Sequence, residues 1–241
     1  MKIIVLAGGL STERDVSLAS AAGICRTLIE KGHDAFLLDV FLGLEHAPEH
    51  LEDVFTLPGH GLEIAKNISC EEPDLAAVKA SRPDQSDCFL GPNVIELCRL
   101  ADITFLGLHG GEGENGKLQA TFDLLGIRYT GPDSLGCAVA MDKGLTKQVF
   151  LQAGIDTPAG VTIHKKSKDR SLALTGLSLP VVIKPCSGGS SIGVYIVSTE
   201  EEYAGKCIEE ALFYGGLDNI AVVIARNRSG RGRHCCKKGL F

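Results

Sequence analysis

The stretch Val181–Val197, VVIKPCSGGSSIGVYIV, combines a lysine with small residues in a pattern suited to binding an anion. Apolar runs on both sides of a Gly/Ser cluster predict a β-hairpin with a loop at its tip. The loop contains Ser187, Gly188, Gly189, Ser190 and Ser191. Its backbone N–H groups can surround an anion, and the charge of Lys184 adds roughly 4 kcal/mol per charge pair at about 4 Å before desolvation. A surface hairpin with a solvated lysine explains this stretch equally well.

A second candidate loop, His109–Lys117, follows the predicted strand Ile103–Leu108. Its spacing satisfies the first part of a P-loop, but Leu118 replaces the required Ser or Thr. Glu112 and Glu114 also stand where polyphosphate would lie, so we reject a P-loop. An acidic loop with a histidine favours a substrate carrying a positive group, such as an amine. The alternative is a glycine-rich turn with solvated charges, and His109 alone is more often a hydrogen-bonded structural residue.

A third loop, Gly8–Glu13, lies between a predicted strand, Ile3–Leu6, and a predicted helix from about Asp15 to Lys31. With a second strand at Ala35–Val40, this unit predicts a parallel sheet. Ligands of such sheets bind at the carboxyl ends of the strands, where Glu13 would lie. The glycines do not match GxGxxG, so dinucleotide binding is not predicted. Alternatively, Glu13 only complements the helix dipole, an effect under about 1 kcal/mol, and Ser11 or Thr12 caps the helix.

Further elements are predicted from apolar periodicity and turn residues. They are helices at Glu71–Ala80, Asn93–Leu100, Lys117–Leu125, Ser134–Met141, Leu145–Ala153 and Thr199–Phe213, and strands at Arg128–Tyr129, Val161–His164 and Asn219–Ile224.

The composition and charge of the chain limit the classes of protein to which it can belong. The 241 residues, 44% of them hydrophobic, suffice for one large or two modest domains. No apolar run approaches the roughly 20 residues that span a bilayer, and no signal peptide opens the chain. A net charge of −6 argues against nucleic-acid binding. Nine cysteines without metal-site spacing fit reduced thiols in the cytoplasm.

The last segment, residues 226–241, is anomalous because it contains Lys and Arg but neither Asp nor Glu. One interpretation is a basic arm that binds a partner. We favour the other, a reading frame lost near Ala225.

Four separated motifs resemble those of the D-alanine–D-alanine ligases of the ATP-grasp superfamily. In the family's order and spacing, they are LAGGLSTERDVSL (Leu6–Leu18), GLHGGEGENGKLQ (Gly107–Gln119), IRYTGP with AMDKGLTK (Ile127–Pro132 and Ala140–Lys147), and VVIKPCSGGSSIGV (Val181–Val194). The resemblance extends from Met1 to about Ile224.

The resemblance implies an α/β fold, because members of the family have an N-terminal α/β domain followed by two α+β lobes that hold ATP and magnesium between them. Residues 1–135 would form a parallel-sheet, Rossmann-like pre-ATP-grasp domain. Residues 136–225 would form an incomplete α+β ATP-grasp lobe, and residues 226–241 an aberrant basic tail.

The implied activity is ATP-dependent ligation of two D-alanines through an acyl phosphate, for peptidoglycan precursors. ATP and Mg²⁺, or Mn²⁺ in its place, are the implied cofactors. The implied partners are D-alanine and ATP, with no nucleic acid or membrane. The family is cytoplasmic and allows a homodimer.

The resemblance also assigns roles to individual residues. Glu13 would hold the ammonium of the first D-alanine, with His109 beside that substrate and Glu114 in the same network. Lys143 and Lys184 would bind ATP. The hairpin loop completes the set: Ser190 would hydrogen-bond within the network of Glu13, and Gly188, Gly189 and Ser191 would help cover the phosphates.

The family's metal ligands belong to a later lobe that has no counterpart in this sequence. We therefore expect this chain to bind ATP poorly and not to catalyse, since two-metal phosphoryl chemistry needs its ligands. Formation of D-alanyl-D-alanine by the 241-residue chain would contradict this expectation. The alternatives are a D-alanine–D-serine or D-alanine–D-lactate ligase, or a non-catalytic remnant with a basic tail for an acidic partner.

Overall fold

The structure is a computed structural model that describes residues 1–65, 67–68, 72–164, 171–188, 193–213 and 220–223, with the backbone alone for 207–213 and 220–223. The chain forms two compact units. One contains Met1–Asp142 and the loop residue Gly188. The other contains Lys143–Ser187 and the described residues from Gly193 onward.

The first unit begins as strand, helix and strand and continues mainly with short helices. Its elements are β1 (Lys2–Ala7), α1 (Arg14–Glu30), β2 (Asp34–Asp39), the 3₁₀ turns Leu51–Thr56 and Leu62–Ile64, α2 (Leu75–Ser81), α3 (Val94–Leu100), β3 (Ile103–Leu106), α4 (Gly111–Glu114), α5 (Lys117–Leu125) and α6 (Ser134–Met141).

A three-stranded parallel sheet in the order β2-β1-β3 organises this unit. Because side chains alternate along a strand, β1 contributes to two cores. Ile3, Val5 and Ala7 pack with α1 residues such as Leu18 on one face. The other face forms a second core with Ile4, Leu6, Phe36, Leu38, Leu97 and Phe122. The structure confirms the predicted α/β class.

Local details differ from the sequence prediction. Tyr129 makes a single parallel bridge to Thr104, so Arg128–Tyr129 is not a strand. The helix predicted at Glu71–Ala80 begins at Leu75, because the carboxylate of Asp74 accepts the N–H of Ala77 at 2.9 Å and caps it there. Glu71 lies outside the described residues.

The second unit is built on an antiparallel sheet. Its elements are α7 (Lys143–Gln152), β4 (Gly160–Ile163), α8 (Leu172–Thr175), β5 (Val181–Pro185), β6 (Tyr195–Val197), α9 (Glu200–Phe213) and β7 (Ile220–Val223). The strand order is β4-β7-β5-β6, with β5 and β6 paired as the predicted hairpin. The small core consists of Ile163, Val181, Ile183, Val197 and Tyr203.

Candidate active site

Two glycine turns meet at the carboxyl edge of the parallel sheet. The first connects β1 to α1, and the second follows the neighbouring strand β3. The N–H of Gly107 donates to the carbonyl of Leu6 at 2.8 Å, which extends the strand pairing to the start of both turns. Parallel pairing therefore brings together residues about 100 positions apart in sequence.

Ser17 of α1 connects these two turns through buried hydrogen bonds. Its buried hydroxyl accepts the N–H of Gly8 at 2.9 Å and donates to the carbonyl of Gly107 at 2.7 Å. One side chain thus satisfies a donor of the first turn and an acceptor of the second. Such buried polar groups need partners, because an unpaired one costs about 1–3 kcal/mol.

Ser11 joins the same turns closer to the solvent. Its hydroxyl donates to the carbonyl of His109 at 2.6 Å and accepts the N–H of Glu13 at 3.2 Å. Glu13 itself is the N-cap residue, and its side chain makes no capping bond. The prediction of Ser11 or Thr12 at the cap was therefore wrong by one or two positions, although Ser11 does bind the N–H that precedes the helix.

The carboxylate of Glu13 lies against the backbone of Gly110. A Cβ added at Gly110 would approach Glu13 Oε2 to 3.0 Å, and the residue has φ +68°, a conformation that favours glycine. Glu13 is half-buried, and no hydrogen bond or ion pair engages its carboxylate within the described residues. The site therefore presents a negative acceptor directly beside Gly110, the residue that follows His109.

The imidazole of His109 contacts α1. Its Nε2 lies 3.2 Å from the hydroxyl oxygen of Ser20, which is exposed on the second turn of that helix. The structure thus brings Glu13 and His109, two of the sequence-predicted residues, to one edge. Sequence reasoning missed the serines that hold them; the spacing of Ser17 and Ser20, three apart on one helix face, was the available signal.

A buried ion pair supports the first turn. Arg14 donates to the carbonyl of Gly9 at 2.7 Å and to the carboxylate of Asp39 at the end of β2. The other Asp39 oxygen accepts the N–H groups of Phe41 and Leu42 at 2.9 and 3.0 Å. A Cβ at Gly8, which has φ +75°, would lie only 2.3 Å from Asp39 Oδ2, so only glycine fits there.

Glu114 lies at the end of the short helix α4 and faces α6. Together with burial and Asp133, its charge raises the pKa of the Cys137 thiol. No hydrogen bond or ion pair links Glu114 to Glu13 or His109 among the described residues. Its predicted place in their network therefore stays a prediction.

Lys117, the lysine of the sequence that resembles a P-loop, forms an ion pair with Glu112. Lys117 Nζ lies 3.6 Å from Glu112 Oε1, and the lysine side chain is 72% exposed. Gln119 donates from its side chain to the carbonyl of Gly113 at 2.8 Å, which fixes the intervening helical turn. The rejection of a phosphate-binding P-loop stays a prediction.

Three lysines group in the second unit. The backbone N–H and the ammonium of Lys143 both donate to the carbonyl of Cys186, at 3.0 and 3.3 Å, just after β5. Lys184 is half-buried on β5, and its charge acts on Lys147. Burial, reinforced by Lys184, lowers the pKa of Lys147. Accumulated positive charge of this kind is suited to a polyanion.

Lys147 was not selected from the sequence. It lies one helical turn after Lys143, a spacing that places both on one face of α7. Its ammonium donates to the hydroxyl of Thr157 at 2.9 Å and to the carbonyl of Pro158. This lysine therefore ties α7 to the segment that leads into β4.

The hairpin loop is described only in part. Gly188 is exposed, has φ +126°, and directs its N–H toward Met141 Sδ at 3.4 Å. Gly189, Ser190 and Ser191 lie outside the described residues, so their roles stay predictions.

The described residues provide no metal centre. They contain no group of three or more His, Cys, Asp or Glu side chains arranged to hold a metal ion. We therefore derive no step through Mg²⁺ from them. No helix within this described part is long and apolar enough to cross a bilayer.

A cavity of about 330 Å³ lies at the other end of the parallel strands. It is lined by residues just before β3 and just after α5, including Arg99, Asp102 and Arg128. None of the predicted site residues lines it.

Two family models match the sequence. "D-ala D-ala ligase N-terminus" matches residues 2–132, and "D-ala D-ala ligase C-terminus" matches residues 149–236, which includes part of the basic segment. Among curated proteins, a D-alanine–D-alanine ligase of Lacticaseibacillus casei is 43% identical over 92% of this chain and 60% of that protein. One from Pediococcus pentosaceus is 44% identical over 85% of this chain and 57% of that protein.

Solved structures show the same similarity in fold. The D-alanine–D-alanine ligase of Coxiella burnetii has a TM-score of 0.64 and 28% identity over 93% of this chain and 61% of that one. The D-alanine–D-alanine ligase of Bacillus anthracis, in a structure complexed with ATP, has a TM-score of 0.64 and 23% identity. The match covers 94% of this chain and 59% of that one. The chain thus spans about 60% of the length of these relatives. With more than half of its residues matched by the N-terminal model, the chain belongs to the D-alanine–D-alanine ligase family.

Proposed function

We propose that this chain supplies the D-alanine-binding and ATP-binding elements of an ATP-dependent D-alanine–D-alanine ligase. The observation that carries the proposal is the meeting of two glycine turns, where the Glu13 carboxylate lies beside Gly110 and Ser11 donates to the carbonyl of His109. A carboxylate held at the carboxyl edge of a parallel sheet suits the ammonium group of an amino acid. Family membership supports D-alanine as that amino acid.

The lysines of the second unit support an ATP-binding role. Lys143 and Lys147 of α7, with Lys184 of β5, concentrate positive charge in this unit. Oriented cations stabilise transferring phosphoryl groups. ATP, when bound, supplies the phosphoryl group that activates the first D-alanine as an acyl phosphate. The protein's task is to hold the two substrates and exclude water.

The remaining site residues belong to the same proposal. Ser190 would complete the network around Glu13, and Glu114 would add negative charge near the amine. Gly188, Gly189 and Ser191 would cover the phosphates. In this scheme residues 1–135 bind D-alanine and residues 136–225 bind ATP. The identity of the second substrate, the use of Mg²⁺, and peptide-bond formation are likewise proposed for the whole protein.

Binding by the purified 241-residue chain tests the proposal. Titration calorimetry with D-alanine and with ATP should give two separable isotherms. Glu13→Gln should weaken D-alanine binding by about tenfold, the effect of roughly 1.4 kcal/mol, and leave ATP binding nearly intact. Asp15→Asn, an acid-to-amide change one residue into α1, is the matched control and should alter neither. Equal D-alanine affinity in the Glu13→Gln and native chains would refute the proposal for this site.

A second measurement separates binding from turnover. D-Alanyl-D-alanine should be assayed with ATP and Mg²⁺ in the same preparation. Binding without product agrees with the absence of a metal-ligating cluster from the described residues. Product formation would show that the rest of the chain provides such ligands, and it would overturn the expectation of an inactive chain.

A further inference from the structure

We propose that Ser20 is a positioning residue that fixes the neutral imidazole of His109 as its Nε2–H tautomer. Nδ1 then carries the lone pair and accepts a hydrogen bond from the ammonium of the substrate. This inference deepens the proposed function and rests on it for the identity of the ligand. The assignment of the tautomer does not depend on the ligand, because it is argued from the distances around Ser20 alone.

The argument begins with the single proton of the Ser20 hydroxyl. Ser20 Oγ lies 2.8 Å from the carbonyl oxygen of Val16 and 3.2 Å from that of Ser17. Carbonyl oxygens only accept, so the serine proton is committed to this pair of backbone groups. We therefore assign the proton of the third contact, between Ser20 Oγ and His109 Nε2 at 3.2 Å, to the imidazole.

The next step concerns the other ring nitrogen. In a neutral imidazole one nitrogen donates and the other accepts. With Nε2 donating to Ser20, Nδ1 is the acceptor, and no hydrogen bond to it is formed within the described residues. The backbone of His109 is also held, because Ser11 donates to its carbonyl at 2.6 Å. Both the ring and the chain that carries it are thus oriented by α1 and its preceding turn.

This orientation matches the charge of the ligand. A substrate ammonium offers three N–H donors and no acceptor, as a lysine head group does. The Glu13 carboxylate beside Gly110 can accept one of them. An imidazole with a free N–H would oppose an ammonium, whereas a lone pair on Nδ1 provides a second acceptor. Ser20 therefore selects the tautomer that favours an amine over an anion.

The chain provides a matched control on the same helix. Thr27 is exposed on α1, and its hydroxyl donates to the carbonyl of Gly23 at 3.0 Å, the same bond from i to i−4 that Ser20 makes to Val16. Thr27 does not contact His109. Thr27→Ala therefore reproduces the loss of the helix hydroxyl without the loss of the imidazole contact.

The first test determines the tautomer of His109 in the 241-residue chain without any substrate. Long-range ¹H–¹⁵N spectra at about pH 8.5, where an ordinary imidazole is neutral, report which nitrogen of His109 bears the proton. The native chain, Thr27→Ala and Ser20→Thr should show Nε2–H, while Ser20→Ala should shift the spectrum toward a mixture of tautomers. An Nδ1–H signature in the native chain, or an unchanged spectrum in Ser20→Ala, would overturn the inference.

The second test connects the tautomer to ligand binding. Ser20→Ala should weaken D-alanine binding about 3- to 10-fold, the usual effect of one hydrogen bond, with ATP affinity unchanged; Ser20→Thr should restore it. If the native chain shows Nε2–H but does not bind D-alanine, the proposed function fails and the tautomer assignment stands. If D-alanine binds equally to native and Ser20→Ala chains, the positioning role fails and the proposed function stands.

Discussion

The guanidinium of Arg14 donates to the carboxylate of Asp39, and their side chains are only 6% and 3% exposed. The pair joins the start of α1 to the end of β2, and Arg14 also holds the carbonyl of Gly9. It therefore fixes the turn that carries Ser11 and Glu13. Breaking a buried pair leaves an uncompensated charge, which is costly in a low-dielectric interior.

We expect Asp39→Ala to lower the free energy of unfolding by about 3–5 kcal/mol, since Arg14 would remain charged and unpaired. Urea unfolding of the purified chain measures this change. The control is Glu52→Gln, which removes a surface pair with Lys2 whose side chains are 63% and 40% exposed. That change should cost no more than about 1 kcal/mol. Similar losses in both variants would contradict a structural role for the buried pair.

Gly110→Ala should weaken D-alanine binding by about tenfold or more, because the new Cβ would displace the Glu13 carboxylate. Gly126→Ala is the control, since Gly126 has a nearly equal φ of +66° and nothing within 4 Å of an added Cβ. Gly126→Ala should lose about 1–2 kcal/mol of stability, because Gly126 has a left-handed backbone. Gly110→Ala should lose more, because φ +68° and ψ 177° lie in a region that essentially only glycine adopts. Calorimetric titration should find normal D-alanine affinity in Gly126→Ala. If Gly126→Ala lost as much affinity for D-alanine as Gly110→Ala, backbone strain rather than displacement of Glu13 would explain the loss.

In a full-length ligase context, Lys184→Ala should weaken ATP binding by at least about tenfold, or 1.4 kcal/mol, because it removes a half-buried positive charge from the lysine group on β5 and α7. Lys79→Ala removes an equal charge from the exposed surface of α2 and should leave ATP affinity unchanged. Fluorescence titration with a labelled ATP gives both dissociation constants. An unchanged constant for Lys184→Ala would remove this residue from the ATP site.

The thiols of Cys25 and Cys98 should resist alkylation in the folded chain. Both are buried, and burial raises the pKa of each thiol to about 11. At pH 8 they therefore hold their protons, and the thiolate is the reactive form. Cys88 is exposed and serves as the internal control. Peptide mass spectrometry after iodoacetamide treatment should find Cys88 modified before Cys25 and Cys98, which should react only after unfolding in urea.

The same pKa shifts predict how stability depends on alkaline pH. In the unfolded chain these two thiols ionise near their ordinary pKa of 9.0, whereas in the folded chain they ionise near 11. Above pH 9 the unfolded state therefore binds fewer protons, so stability falls as the pH rises from 9 to about 11. Urea midpoints measured across this range should decrease, and Cys98→Ala should show a shallower decrease than the native chain.

Much of the fold was accessible from the sequence because the signals are local. The apolar run after Met1, the glycines that follow it and the periodic helix predicted β1, α1 and β2. The hairpin around Gly188 was equally clear from its composition. Glu13 and His109 were selected because each follows a strand whose carboxyl end must lie at the edge of a parallel sheet.

Other features depend on contacts between distant residues. β7 follows β5 and β6 in the chain but lies between β4 and β5 in the sheet, an arrangement that no local pattern reports. Asp39 reads as an ordinary strand-end acid until Arg14 is placed beside it. Ser11, Ser17 and Ser20 read as common helix-start residues until β3 brings His109 and Gly107 within hydrogen-bonding distance.

The sequence by itself determined which groups have the chemistry: a carboxylate, an imidazole, lysines and glycine turns at the ends of strands. The tertiary structure decided which of them act together, because strand pairing sets distances between residues about 100 positions apart. It joined Glu13 to His109 through Ser11, and it added Lys147 to Lys143 and Lys184. It also placed the hydroxyl of Ser20 within hydrogen-bonding distance of His109 Nε2, at 3.2 Å.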